Sequence, residues 1–235
     1  MPPLAQRHAD VTGARSAEIA PSPPALLSNE AVLQYWDARH RSHGELRSGG
    51  HIGLDEPTNE FFYRLRLGKL LEIIGDLNCV NEPMFLLDAG CGKGRITAEL
   101  AACGFCVEGI DSSETAIEVA RSHAGGRYEV ASLAGWRSPL LYDVVFAVDV
   151  LFHVVDEAEW AASVENLASL TRLGGKLVLS DEYRDERRPA GDYIVHRPWQ
   201  AYGGLLERRG LTLASFVPYG FRDNRVGFLV FRRTH

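Results

Sequence analysis

The chain has 235 residues, 46% of them hydrophobic, with a formal net charge of −6 and a pI near 5.8. This size and apolar share suit one globular domain with appendages and a full core. The acidic balance argues against a nonspecific nucleic-acid binder, which needs a basic face, and no apolar run approaches the length of a membrane span.

In chain order, residues 1–27 are proline-rich and lack apolar periodicity, which predicts a disordered tail. They hold no apolar core of the signal-peptide kind, so the chain reads as cytoplasmic. Ser28 stands where it can cap a helix over 29–40, whose apolar residues are Val32, Leu33, Tyr35 and Trp36. Residues 41–58 read as a loop too long to be only a connector, the kind that forms lids. A second helix is expected over 59–74, with Phe61, Phe62, Leu65, Leu70, Ile73 and Ile74 as its core-facing stripe. Residues 28–83 are thus expected to form a helical cap or lid, and residues 84–235 the core.

From Met84 onward strands and helices alternate. Strands are expected at 85–88, 105–110, 127–131, 143–149, 176–181, 211–217 and 226–232, and helices at 93–102, 113–123, 157–170 and 198–209. The pattern predicts an α/β fold: a doubly wound, seven-stranded, mostly parallel Rossmann-like sheet with helices on both faces. The last two strands flank Pro218–Asn224 and read as a terminal antiparallel hairpin.

The first strand, Phe85-Leu86-Leu87-Asp88, breaks into Ala89-Gly90-Cys91-Gly92-Lys93-Gly94 before a helix. Glycine lets the chain turn sharply and lets a ligand approach without meeting a Cβ. A strand, a glycine turn and a helix N-terminus form a nucleotide-binding corner. The dinucleotide fingerprint G-x-G-x-x-G would need glycine where Arg95 stands, and Asp88 would repel a pyrophosphate but suits an ammonium group. Both details disfavour a nicotinamide-dependent oxidoreductase. The cysteines at 79, 91, 103 and 106 read as small buried thiols, since no second pair stands at zinc spacing beside Cys103-x-x-Cys106.

D-A-G-C-G-K-G resembles the first motif of the class I S-adenosylmethionine (SAM)-dependent methyltransferases. The resemblance continues in order through the strand ending at Asp111, through Tyr142 to His153, and through Leu173-Gly174-Gly175-Lys176-Leu177, covering about residues 85–181. It implies SAM as cofactor. Asp88, Gly90, Cys91 and Gly92 then belong to the cofactor turn, and Val148 to the fourth strand that lines the cofactor. Asp111 would hold the two ribose hydroxyls, with Ser112 beside it. Ser132 and Leu133 stand where the family meets adenine, although Ser132 lacks the acid often found there. N-terminal helices close over the cofactor in the family, which makes Tyr35 and Trp36 candidates for the sulfonium and Arg66 for the methionine carboxylate.

A small-molecule methyl acceptor follows, with O-methylation favoured over N- or C-methylation, and a noncatalytic SAM-binding module as the competing reading. The DNA-modifying N-P-P-Y pattern is replaced by Val148-Asp149-Val150-Leu151. His153, His196 and Glu182 are the candidate bases; an unperturbed histidine would set an acid limb near pH 6.5. Asp149, Asp181 and Glu182 end neighbouring strands, but no metal site is expected from them. The arginines of the 183–198 loop suit an acidic acceptor. The expected partners are the acceptor alone, with no nucleic acid or membrane, in a monomer or homodimer.

Overall fold

The computed structural model describes residues 25–75, 83–123 and 125–235. Most of the expected tail, residues 1–24, lies outside them, as does Cys79. The main sheet has the order β3-β2-β1-β4-β5-β9-β8. Its strands are β1 (Phe85–Ala89), β2 (Cys106–Asp111), β3 (Arg127–Val130), β4 (Tyr142–Ala147), β5 (Thr171–Glu182), β8 (Leu211–Pro218) and β9 (Val226–Arg233). The first five run parallel, and β9 pairs antiparallel with both β5 and β8. The Rossmann-like sheet and the terminal antiparallel pair are those read from the sequence.

The near-continuous apolar runs are explained by burial on both faces. Successive side chains alternate across the sheet. Leu86, Val144, Phe146, Val178 and Val230 therefore pack on one side with Phe62, Leu70 and Ile74 of α3 (Glu56–Gly75) and Leu100 of α4 (Arg95–Ala102). Leu87, Val145, Ala147, Leu177 and Phe231 pack on the other with Trp160, Val164 and Leu167 of α6 (Glu157–Leu170) and Tyr202 and Leu206 of α7 (Trp199–Leu206). Each such buried side chain contributes about 1.5–3 kcal/mol. Because α3 shares the sheet's core, the expected boundary at 83/84 does not divide two cores. The elements that stand over the sheet's edge are α1 (Asn29–Ser42) and α2 (Glu45–Ser48).

Four local expectations are corrected. The 41–58 segment is not one loop: α1 runs on to Ser42, α2 follows, and α3 starts at Glu56 because Asp55 Oδ1 accepts the Thr58 N–H at 2.9 Å, as a capping side chain does. β4 ends at Ala147, since Asp149 adopts φ 57° and turns the chain off the sheet. β5 starts at Thr171, which pairs with Tyr142 before a register shift. The 183–198 loop contains a small antiparallel ladder, β6 (Arg188–Pro189) with β7 (Val195–His196). Among the described residues no helix is long and apolar enough to cross a membrane.

Candidate active site

At the carboxyl ends of β1, β2 and β4 three chambers adjoin. The glycine turn builds the floor of the first. The Gly90 and Cys91 N–H groups donate to Ile110 O at 2.8 and 2.9 Å, which fixes the turn against β2. Asp111 ends β2; its Oδ2 accepts the Gly92 N–H and its Oδ1 the Ser113 N–H, both at 2.9 Å. Ser113 caps α5 (Glu114–Ala120) and donates its hydroxyl to Asp37 of α1 at 2.7 Å. The staple brings Val32, Trp36 and His40 of α1 over Asp111, Leu133 and Val150, enclosing about 140 Å³.

The two glycines answer different needs. At Gly90 a Cβ would meet Val150 Cγ2 at 2.4 Å, so protein packing excludes a side chain. At Gly92 a Cβ would only touch His40 Cε1 at 3.4 Å, but φ is 54° and the position faces the chamber.

The second chamber, about 50 Å³, lies beyond Gly90 and Gly92 and is walled by Tyr63, Arg66, Asp88, Cys91 and Lys93. Asp88 is 2% exposed and accepts the Thr97 hydroxyl at 2.7 Å. Burial pushes its pKa up to about 7 against that hydrogen bond. Arg66, also 2% exposed, gives Nη1 to Asp149 at 2.5 Å, while Nε and Nη2 have no hydrogen-bond partner among the described residues.

The third chamber, about 190 Å³, opens on the other side of Asp149 between Trp36, Phe62, Phe152 and Tyr193. It shares Trp36, Asp149 and His153 with the first chamber and Arg66 with the second; Gly49 borders all three. Asp149 is held by Arg66, by the Tyr219 hydroxyl at 2.9 Å and by Ser180 Oγ on its backbone N–H. His153 Nδ1 lies 3.1 Å from Tyr193 O. A carbonyl only accepts, so Nδ1 carries the proton and Nε2 keeps its lone pair. Burial pushes this histidine down to about 4, so it is neutral at physiological pH.

The cap is closed by side chains that reach its backbone. Arg39 Nη2 donates to Arg47 O at 2.9 Å and also to Gly50 O. Lys93 Nζ donates to His43 O at 2.7 Å, and Asn59, fully buried, bonds the His51 N–H, His51 O and Leu54 O.

The structure brings most of the predicted cofactor residues together: Trp36, Gly90, Gly92, Asp111, Ser112, Leu133 and Val148 line the first chamber, and Arg66, Asp88 and Cys91 the second. Tyr35 does not line them; its ring packs on Tyr193 at 4.8 Å. Ser132 is exposed, and its hydroxyl accepts the Gly135 N–H at 3.0 Å within a turn.

Of the candidate bases, only His153 lines a chamber. His196 is 6% exposed and sits 2.6 Å from Asp181 Oδ1, behind Phe152. Asp181 also accepts the Tyr202 hydroxyl at 2.7 Å. Glu182 is bridged by Arg184 at 2.6 Å and by Arg188. Burial pushes Glu182 up, but those arginines and His196 outweigh it and hold it below the usual carboxylate range, and its carboxylate lines none of the three chambers. Asp149, Asp181 and Glu182 are thus satisfied separately and do not converge. The loop arginines serve Glu182 and Glu157 and line none of the three chambers.

Sequence reasoning missed His40, 4% exposed over the first chamber, with Nδ1 unpartnered among the described residues. Its spacing of four from Trp36 was the available signal, because i and i+4 share a helix face.

Residues 86–175 match a family model described as a methyltransferase domain. The ubiquinone biosynthesis O-methyltransferase of Nitrosomonas europaea is 34% identical over 145 residues, 56% of this chain and 58% of that protein. The protein of the same description from Rickettsia akari is 30% identical over 160 residues, 66% of this chain and 61% of its own. The mitochondrial one of Schizosaccharomyces pombe is 35% identical over 123 residues, 49% and 43%. The chain thus spans about half the length of these curated relatives.

Among solved structures, a magnesium protoporphyrin IX methyltransferase from Synechocystis with bound SAM superposes with a TM-score of 0.68 at 21% identity, covering 91% of this chain and all (100%) of that one. A 1,6-didemethyltoxoflavin-N1-methyltransferase from Burkholderia thailandensis gives 0.61 at 21% identity, covering 94% and 97%. These likenesses concern the fold.

Proposed function

We propose that the chain, whose residues 86–175 match a methyltransferase-domain model, is an enzyme that transfers a methyl group from SAM to a small molecule, with oxygen the favoured acceptor atom. The observation that carries this reading is the meeting of the first and third chambers at Trp36, Asp149 and His153. One chamber then takes the cofactor and the other the acceptor, with the reacting atoms at the shared wall.

The residues fit the cofactor. An ionised carboxylate has about four acceptor sites. Asp111 uses two on backbone N–H groups, which leaves two for a ribose diol. Asp88, buried and pushed up to about 7, gains from a cation beside it, as the methionine ammonium would be. The unpartnered Nε and Nη2 of Arg66 form one side of its planar fork and suit the methionine carboxylate. When bound, SAM supplies an electrophilic methyl on a sulfonium.

The protein's own part is alignment, exclusion of water and custody of one proton. His153 Nε2 accepts the hydrogen of the acceptor hydroxyl, and the Tyr193 carbonyl keeps its tautomer fixed. Trp36, between the two chambers, presents a π-face to positive charge. A cytoplasmic monomer or homodimer with no nucleic-acid partner completes the proposal, supported by the acidic balance of the chain.

Calorimetry with S-adenosylhomocysteine (SAH), followed by SAH release on a panel of hydroxylated metabolites, tests the reading. No SAH binding refutes it. Binding with no turnover on any acceptor favours the noncatalytic module.

A further inference from the structure

The acceptor chamber contains a charge that the site does not balance. Two guanidiniums, Arg39 and Arg66, stand in its wall with one carboxylate, Asp149. Arg66 and Asp149 neutralise each other. Arg39 is 7% exposed, and its hydrogen bonds go to neutral groups: the carbonyls of Arg47 and Gly50 and the Tyr35 hydroxyl, with the Trp36 ring 4.9 Å away. Among the described residues it has no carboxylate partner. A buried cation without a counter-charge is costly, and a ligand that brings the counter-charge recovers that cost. His153 adds no positive charge near neutral pH, since burial holds it at about 4. On the methyl-transfer reading, on which this inference rests, the cofactor adds a further cation at the shared wall.

The rest of the chamber is mainly apolar, with His51 and Asn224 as its other polar side chains. Trp36, Phe62, Phe152 and Tyr193 face it, with Ile194 and Val226. Its 190 Å³ compares with the ~150 Å³ that holds a benzene ring in an apolar protein cavity. We propose that the acceptor is a single-ring aromatic acid, whose carboxylate is set against Arg39 and whose hydroxyl faces His153. The arginine for an acidic acceptor thus comes from α1 and not from the 183–198 loop.

The test uses the full chain loaded with SAH and two probes of equal size, 2-hydroxybenzoate and its neutral amide, titrated by calorimetry. The acid is expected to bind about tenfold tighter than the amide, as charge-assisted contacts exceed neutral ones. Arg39→Gln keeps a donor for the cap carbonyls but removes the charge, so the acid-to-amide ratio should fall to near one. Comparing the ratio within each protein cancels any general loosening of the cap. The proposal is overturned if the amide binds as well as the acid, if the ratio survives Arg39→Gln, or if neither probe binds a complex that has taken up SAH. If SAH itself does not bind, methyl transfer fails first and this inference falls with it.

Discussion

Replacing Asp111 by alanine should separate ribose recognition from fold stability, because its carboxylate serves both. Two acceptor sites hold the Gly92 and Ser113 N–H groups at 2.9 Å; two remain for the ribose hydroxyls. A hydrogen bond to a charged group contributes about 1.5 kcal/mol or more. Losing both ribose bonds then costs about 3 kcal/mol, roughly 150-fold in the SAH dissociation constant. Freeing the two backbone donors costs about 1 kcal/mol each, which lowers the melting temperature of a chain this size by roughly 4–8 °C. Asp111→Asn keeps one carboxyl-type oxygen and should fall between. Calorimetry is run with SAH and with a 2′,3′-dideoxy analogue, which cannot make the bonds in question and should bind wild type and variant alike. The assignment fails if Asp111→Ala binds SAH within about threefold of wild type, or if it loses the dideoxy analogue as steeply as SAH.

Gly92→Val should fold but not titrate with SAH, since a β-branched residue at φ 54° is strained and its methyls occupy the first chamber. Gly90→Ala should instead show its defect in thermal unfolding, because its Cβ meets Val150 at 2.4 Å; equal behaviour of the two variants would sink this distinction. His153 is neutral above its depressed pKa of about 4, so its acid limb should lie near pH 4 and not near 6.5. His153→Ala should cut turnover by about 10² or more with SAH affinity retained, and a rate that halves near pH 6.5 would assign the titration to another group. Asp88 is largely protonated below about 7 and must ionise to meet an ammonium, so SAH binding should weaken as pH falls through that value and release a proton. Titrations at pH 6 in buffers of different ionisation enthalpy read that release directly, and identical heats would remove Asp88 from the ammonium site.

The cofactor corner was legible because its signals are local. Glycines at 90, 92 and 94 all adopt positive φ, and the acid at 111 ends the next strand. The third chamber had no such signal. It is assembled from α1, the 49–52 segment, α3, the turn after β4, the 193–194 turn and the start of β9, which only tertiary packing brings together. Asp149 was read as a strand end and not as part of a turn, because a non-glycine residue at φ 57° breaks a strand that its apolar neighbours continue. His196 and Glu182 misled for the opposite reason. Glu182 ends β5 and His196 lies beside it on β7, but Asp181 holds His196, and Arg184 and Arg188 hold Glu182.

The cap bonds are aimed at main-chain atoms, at positions 43, 47, 50, 51 and 54. A peptide carbonyl is the same whichever side chain follows it. The closure is therefore indifferent to the side chain of Ile52, which borders the third chamber, whereas His51 Nδ1 accepts the Gly53 N–H at 3.1 Å and helps to shape the turn. On the methyl-transfer reading, this splits the protein into a fixed frame and an interchangeable position on its inner surface. A library randomised at 52 should keep SAH affinity across most of its members while acceptor preference drifts, a route by which one scaffold acquires new substrates without rebuilding its cofactor site.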